Sequence, residues 1–209
     1  MKTHSIARDA QIVMTFFLLV TIATSSVVWV SLAPRPSEPF FALFTLGAGG
    51  GVGSYYPTNS SDIYPGDELQ WYVGVYNRMN SIQYVAIRFK LLNQTMSAPD
   101  SQRQVPSAAN AFMQIKHVLL KNETWIAPIR WSVTNATEAR SIVTIFAIVF
   151  NSTVVTENLS VAAKNGYNFR MVIELWVYTP ETQEFEFAWM SAGQLRSSWN
   201  QIWFNMTQT

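Results

Sequence analysis

The sequence predicts a mainly β protein in which one N-terminal transmembrane helix precedes an antiparallel, immunoglobulin-like β-sandwich. Two observations lead to this prediction. Residues 10–33 carry no charge, and a helix of that length spans roughly 36 Å, enough to cross the hydrocarbon core of a bilayer. The rest of the chain holds some eight short apolar or alternating stretches separated by turn signals, a pattern typical of sandwiches.

The stretch at residues 10–33 is predicted to be an uncleaved anchor that contacts membrane lipid. A signal peptide is the rival interpretation, but its apolar region usually covers about 7–15 residues before a small-x-small cleavage site. Here the apolar region is longer, and the plausible site at Ser31-Leu32-Ala33 is followed by Pro34, which disfavours cleavage.

Basic residues around the anchor predict its orientation. Lys2 and Arg8 precede it, and Arg35 alone follows closely, so the positive-inside rule keeps the N-terminus in the cytoplasm and places the C-terminal part outside the cell. The predicted organisation is a cytoplasmic tail at 1–9, the anchor at 10–33, a proline-rich spacer at 34–39 and an extracellular sandwich at 40–209.

Asn-x-Ser/Thr sequons are more frequent than chance allows. The content of Asn, Ser and Thr would give about two, whereas seven occur, all on the C-terminal side of the anchor. This excess predicts an exposed domain carrying N-linked glycans and independently supports the orientation. The predicted glycosylation sites are Asn59, Asn93, Asn122, Asn135, Asn151, Asn158 and Asn205.

Composition excludes several classes of protein. Residues 34–209 contain 12 basic and 12 acidic residues without a basic cluster, which argues against a nucleic-acid partner. Cysteine is absent, so neither disulfides nor thiolate chemistry is available. A domain of this kind must rely on its core, which the chain's Trp, Tyr and Phe residues could fill.

The first part of the sandwich is predicted to be two strands around a glycine loop. Phe40–Leu46 reads as a strand, and Gly47–Ser54 reads as a flexible turn. A phosphate-binding loop would end in Gly-Lys-Ser/Thr and lead into a helix, but lysine is missing and Pro57 follows. Tyr64–Asp67 is a turn before the alternating strand Leu69–Tyr76.

That strand is predicted to form a β-hairpin with residues 85–91. Both stretches alternate apolar and polar residues, and Asn77–Ser81 turns the chain between them. Residues 93–111 are polar and contain two prolines, which predicts a long surface loop.

The second half of the domain continues the strand pattern. Phe112–Leu120 could be a short helix or a strand, and Trp125–Val133 is predicted to be an edge strand because of Pro128. Arg140–Phe150 is apolar on both faces and is predicted to be a central strand. Further strands are predicted in Thr153–Val161, Phe169–Tyr178, Gln183–Trp189 and Trp199–Met206.

Residues that could carry catalysis or bind a cofactor are sparse. His4 and His117 are the only histidines, so a metal site or a serine triad is not expected. Glu181, Glu184 and Glu186 form the densest acidic group, but alternation with Phe185 and Phe187 predicts the solvated face of a strand. We therefore expect no enzyme activity and no cofactor.

Four tyrosines leave two interpretations open. Tyr55, Tyr56, Tyr72 and Tyr76 could form a surface that binds protein or glycan, or they could cover the second sheet of the sandwich.

Two segments carry distinctive motifs: Leu46-Gly47 leads through the glycine loop to Tyr56–Asn59 and then to Val73–Asn77, and Arg196 precedes Ile202–Asn205. These segments resemble an uncharacterised family of archaeal membrane proteins. In that family a strand ending in Leu-Gly leads through a glycine loop to Tyr-Pro-Thr-Asn, then to a Val-Gly-Val/Ile-x-Asn strand, and the domain closes with Arg-x-x-x-Leu/Ile-Trp-x-Asn. The matching positions are Leu46, Gly47, Tyr56, Pro57, Thr58, Asn59, Gly66, Val73, Gly74, Val75 and Asn77, then Arg196, Ile202, Trp203 and Asn205.

This resemblance covers the two ends of the external domain and leaves its middle unmatched. It implies an archaeal surface location, a β-sandwich and no assigned activity. Family members often have several membrane spans, whereas one is predicted for this chain.

The functional expectation is a single-span archaeal cell-surface glycoprotein that acts structurally or by binding protein partners of unknown identity. One alternative is a pilin-like filament subunit, although the Arg8-Asp9-Ala10 flank is a poor processing site. Another is an accessory subunit of a larger membrane complex.

Overall fold

The computed structural model describes residues 3–32, 38–58 and 60–207, which fall into two units, Met1–Ser37 and Glu38–Thr209. The first unit contains the helix α1 (Thr3–Leu32). Its Gln11–Leu32 section has a mean hydropathy of 2.1, so length and composition suit it to a membrane span, although a signal sequence would meet the same criteria. Ala33 and residues 34–37 of the predicted spacer lie outside the described residues.

Hydroxyl groups in α1 bond to its own backbone. The Thr15, Thr21 and Ser26 hydroxyls each donate to the carbonyl four residues earlier, at 2.8–2.9 Å. This bonding satisfies polar groups that a lipid environment would leave without partners.

The described part of the second unit consists of strands and loops. The strands are β1 (Phe41–Leu46), β2 (Asp62–Ile63), β3 (Leu69–Asn77), β4 (Gln83–Leu92), β5 (Met113–Leu119), β6 (Thr124–Ala139), β7 (Ile142–Phe150), β8 (Thr153–Val155), β9 (Val161–Lys164), β10 (Phe169–Thr179), β11 (Glu184–Glu186), β12 (Trp189–Ser191), β13 (Gln194–Arg196) and β14 (Trp199–Met206).

Two sheets form the sandwich. Sheet I has the order β1-β3-β6-β7-β8, with β9 also paired to β7, and sheet II has the order β2-β14-β10-β4-β5, with β11 paired to β10. Neighbouring strands are antiparallel except for the short parallel pair of β2 and β14. The predicted mainly β, antiparallel architecture is therefore confirmed.

Large aromatic side chains fill the space between the sheets. The Phe89 ring of sheet II lies 4.8 Å from the Phe150 ring of sheet I, and Trp131 of sheet I lies 5.4 Å from Phe204 of sheet II. Trp71 and Trp131 are among the largest fully buried side chains. Met171, Ile173, Leu175 and Val177, which alternate along β10, belong to this core.

The predicted hairpin of residues 69–76 with 85–91 is wrong. β3 pairs with β1 and β6 in sheet I, whereas β4 pairs with β5 and β10 in sheet II. The buried Asn77 shapes the crossing, because its Nδ2 donates to the Ser81 and Leu120 carbonyls at 2.9 Å. Strands with one buried face alternate in the same way whether they share a sheet or face each other across a core.

The prediction that residues 140–150 form a central strand holds in part, because β7 pairs with β6 on one edge and with β8 and β9 on the other, but one of its faces is exposed or half-buried at Ile142, Thr144 and Phe146. β7 is next to last in sheet I, and Arg140 and Ser141 form the turn before it with φ of 52° and 60°. Like its neighbour β4, β10 is buried along most of both faces. Its outward side includes Arg170 and Glu174. Because charged residues in a sequence suggest an exposed face, the burial of this side could not be predicted.

Other predictions hold fully or in part. Residues 112–120 contain a strand, and the last strand has the predicted bounds. Pro128 lies in a strand with neighbours on both sides, but the pairing of β6 with β7 begins only at Trp131. The edge prediction is thus correct at Pro128, where β6 has not yet begun to pair with β7. On that side the missing N–H of proline costs no hydrogen bond between strands.

The glycine loop is folded back on itself. Gly47 N donates to Gly51 O at 3.0 Å, and Gly50 N donates to Gly47 O at 2.9 Å. A Cβ on Gly47 would lie 2.0 Å from the Gly53 carbonyl oxygen, so a larger residue does not fit there.

Candidate functional site

The loop at 93–111 covers the outward face of sheet II. Near its start, Arg170 Nη2 donates to the Met96 carbonyl, and further on Trp199 Nε1 donates to Ser101 Oγ at 2.8 Å. Near its end, Lys90 Nζ donates to the Ser107 carbonyl at 2.6 Å. The predicted surface loop therefore exists, and it also explains why β10 is buried on its outward side.

A buried ion pair holds the end of this loop. Lys90 Nζ lies 2.9 Å from Glu174 Oε2, and both side chains are at most 5% exposed. Glu174 Oε1 accepts from Ser107 N at 2.9 Å, and Oε2 also accepts from Trp176 Nε1 at 2.9 Å. Because both charged groups have further hydrogen-bond partners, these bonds offset part of the free-energy cost of removing the two charges from water.

Beside the ion pair lies an open depression of about 600 Å³, called here the outer-face depression. Its wall is the Pro106–Ala111 segment, and Arg88, Gln114 and Trp176 line it from the sheet. The Arg88 guanidinium lies 3.8 Å from the centre of the Trp176 ring, and its Nε donates to Gln114 Oε1 at 2.7 Å. Burial lowers the pKa of Arg88, and the nearby Glu174 carboxylate opposes that shift.

A second cleft lies at the open edge between the sheets. About 450 Å³ in volume, it is lined by Phe44, Tyr55, Tyr56, Asn200 and Trp203, among others. The Tyr55 hydroxyl donates to Thr45 O of β1 at 3.0 Å, and the Tyr56 hydroxyl donates to Trp203 O of β14. Two consecutive tyrosines thus join the edges of the two sheets.

These bonds bring together the two segments of the family resemblance, because Tyr56 belongs to one and Trp203 to the other. Burial and the neighbouring Tyr55 raise the pKa of Tyr56 to about 12. Tyr72 and Tyr76 lie elsewhere, on the outward face of sheet I, where Gln70 Nε2 donates to the Tyr72 hydroxyl at 2.7 Å.

The predicted glycosylation sites differ in accessibility. Asn122, Asn135, Asn151 and Asn158 are exposed, whereas Asn93 and Asn205 are half-buried. Asn205 Nδ2 donates to Asp62 Oδ1 at 2.7 Å, and Asn93 Nδ2 donates to the Ala162 carbonyl at 2.8 Å. Asn59 lies outside the described residues.

Backbone conformation explains part of the asparagine content. Asn122, Asn151 and Asn158 have φ of 61°, 46° and 61°, in the left-handed region that asparagine tolerates better than most residues. Backbone conformation therefore explains why asparagine occupies these turns. It does not explain the Ser or Thr two positions later that completes each sequon.

The remaining candidates from the sequence are scattered. The His117 ring stacks on Trp125 with centroids 4.4 Å apart, and its Nε2 lies 3.9 Å from Glu123 Oε1. Glu184 is exposed on β11. Within residues 3–32, 38–58 and 60–207, no group of three or more His, Asp or Glu side chains could hold a metal ion.

No family model matches the sequence, and no curated protein matches it. Among solved structures, a CARDB domain from Pyrococcus furiosus, in complex with di-metal ions, covers 82% of this chain and 90% of its own length at 8% identity and a TM-score of 0.38. A β-glucosidase from Erythrobacter marinus matches 81% of this chain at 9% identity and a TM-score of 0.36.

A β-glucosidase from Listeria innocua, in complex with gluconolactone, matches 80% of this chain at 11% identity and a TM-score of 0.34. The match covers only 16% of each glucosidase. Likenesses this distant carry no argument about activity, ligand or partner.

Proposed function

We propose that the chain is a single-span surface glycoprotein of an archaeal cell, with an N-glycosylated, immunoglobulin-like sandwich held outside by residues 10–33. It acts structurally or by binding protein partners and not by catalysis. The observation that carries the proposal is the combination of one long apolar helix with exposed sequons on one side of it.

The helix supports the anchor part of the proposal. Its apolar section, Gln11–Leu32, contains 22 residues, and the hydroxyls of Thr15, Thr21, Thr24 and Ser26 bond to the helix backbone and need no water. A segment of that length matches a bilayer core of about 30 Å.

Strand order supports the immunoglobulin-like part. β1, β3 and β6 lie side by side in one sheet, and β5, β4, β10 and β14 lie side by side in the other. Leaving the two-residue β2 aside, the chain switches sheets three times, at β3–β4, β5–β6 and β9–β10, as in sandwiches with Greek-key connections. β7, β8 and β9 widen sheet I between the switches.

The sequons support external exposure. Six of the sequons lie in described residues, and four of these six have an exposed asparagine. Glycans at these positions would shield the surface of a domain that has no cysteine, and they would raise its solubility.

The full chain should be produced in an archaeal host that performs N-glycosylation, and its intact mass compared before and after enzymatic or chemical deglycosylation. We expect a loss of mass on deglycosylation, and cleavage of the sandwich by protease added to intact cells. The Thr124→Ala variant should lose one glycan, whereas Thr144→Ala, outside any sequon, should lose none.

A chain without any glycan would remove the main support for the proposal, and a sandwich reachable only from the cytoplasm would refute it. The N-terminal sequence of the mature protein separates the rivals. A start after Ala33 would indicate a signal peptide, and a start at Gln11 would indicate a pilin-like subunit.

A further inference from the structure

Arg88 presents an unused binding edge to the outer-face depression. Its Nε is occupied by Gln114, and no described residue accepts a hydrogen bond from its two terminal nitrogens. The flat guanidinium rests on the Trp176 ring at 3.8 Å. This contact fixes the plane of the guanidinium and reduces the entropy lost when a ligand binds to it.

Arg88 and Lys90 share a single carboxylate, that of Glu174, which lies opposite Arg88 in the β4–β10 pair, so the three groups carry a net charge of +1. Lys90, the other cation in its lining, is paired with Glu174, and no Asp or Glu lines the depression. Both Glu174 oxygens are occupied, by Lys90, Ser107 N and Trp176 Nε1. No salt bridge joins Arg88 to any described carboxylate. Charge complementarity therefore calls for a ligand with a single negative charge.

The wall of the depression is fixed before any ligand arrives. Ser107 is 4% exposed and bonds through both its N–H and its carbonyl to the ion pair. Next to it, Ala108, Ala109 and Ala111 have side chains too short to fill the space in front of Arg88. A preformed site loses less free energy on binding than a site that must be ordered.

We propose that the outer-face depression is a docking site for the acidic side chain, Asp or Glu, of a protein partner, with Arg88 binding its carboxylate. This inference rests on the proposed function in protein interaction and names the chemistry of the partner. A guanidinium with two parallel free donors matches a carboxylate, and Arg and Trp are the residues most often decisive at protein interfaces.

The test uses the full chain in nanodiscs of neutral lipid, with the tryptophan indole nitrogens labelled for NMR. The Trp176 resonance is assigned with a Trp176→Phe variant. A Gly-Glu-Gly peptide, acetylated and amidated so that it carries one negative charge, should move this resonance saturably, and the matching Gly-Gln-Gly peptide should not. In Arg88→Gln we expect affinity at least tenfold weaker, and in Arg88→Lys an intermediate affinity because the paired donors are lost.

The matched control is Arg196→Gln, which removes the same charge from the exposed strand β13 and should leave affinity unchanged. Thermal melts verify that each variant is folded. Absence of a saturable shift, equal affinity in Arg88→Gln, an equal loss in Arg196→Gln, or tighter binding of inorganic phosphate than of the peptide would each overturn the proposal. Intact mass on the same samples reports glycosylation, so failure of the proposed function is seen separately.

Discussion

At the scale of single residues, Glu174 joins three groups on the outward face of sheet II. It is fully buried, and its carboxylate forms an ion pair with the Lys90 ammonium and accepts hydrogen bonds from Ser107 N and Trp176 Nε1. A buried ion pair contributes little net stability compared with apolar residues of similar volume, but removal of one partner leaves the other charge without compensation.

Glu174→Gln is expected to lower the free energy of unfolding by about 3 kcal/mol, because the Lys90 ammonium stays buried without its counter-charge. Urea unfolding of the full chain in detergent measures the loss. The double variant Lys90→Met with Glu174→Leu should lose less than the single one. A single variant as stable as the wild type would show that the ion pair is solvated.

Tyr56 should make stability depend on pH in the alkaline range. Its pKa is raised to about 12 in the folded protein, so the folded state favours the neutral phenol. The resulting stability is complete below the ordinary tyrosine pKa near 10 and is lost as pH rises towards 12.

Between those pH values we expect the free energy of unfolding to fall by about 1 kcal/mol, less than a fully buried phenol would give because the ring is partly exposed. Denaturant melts at pH 9 and pH 11.5 measure the change. Tyr56→Phe should reduce this pH dependence, whereas Tyr64→Phe, at an exposed ring, should not. Identical pH profiles for both variants would contradict the assignment.

At the scale of elements, the glycine loop between β1 and β2 shows what sequence reasoning recognised and what it missed. The run of glycines correctly predicted a turn. It did not reveal that Gly47 is fixed by backbone contacts with Gly51 and Gly50, because such contacts depend on how the loop closes.

Gly47→Ala should lower the melting temperature, because its Cβ would lie 2.0 Å from the Gly53 carbonyl oxygen and backbone would have to move. The expected cost is about 1–3 kcal/mol. Gly49→Ala is the matched control, since its Cβ meets nothing within 4 Å. Thermal melts of both variants compare them, and an equal effect would mean that loop closure is unimportant.

Pairing between elements was harder to predict than the elements themselves. The alternation of β3 and β4 identified both strands, but alternation reports only that one face is buried, and the two strands face each other across the core. β10 was identified as a strand, while its central place escaped because Arg170 and Glu174 suggest an exposed face. Their partners in residues 93–111 are distant in sequence, so neither the ion pair nor the depression could be predicted.

At the scale of the whole molecule, two sheets, a long covering loop and two tyrosine bonds form a sandwich without cysteine. Composition predicted that such a domain depends on its core, and the described residues place large aromatic rings between the sheets.

Glycan occupancy should follow side-chain accessibility across the surface. We expect high occupancy at Asn122 and Asn135, which are exposed, and low occupancy at Asn205, which is half-buried and bonded to Asp62. Mass spectrometry of glycopeptides from the full chain measures each site. The Asp62→Ala variant, which frees Asn205 Nδ2, the atom that a glycan would be attached to, should raise its occupancy. A higher occupancy at Asn205 than at Asn122 would show that folding does not control modification.

The bond between Tyr56 and β14 also sets an order of events during synthesis. Tyr56 and Trp203 are separated by 147 positions, so the ribosome must finish almost the entire domain before this contact can form. Until then no hydrogen bond joins Tyr56 to β14, and the edge of β1 stays free. Unpaired strand edges recruit other chains. A nascent chain that stalls before β14 is therefore the form of this protein that we expect chaperones to hold.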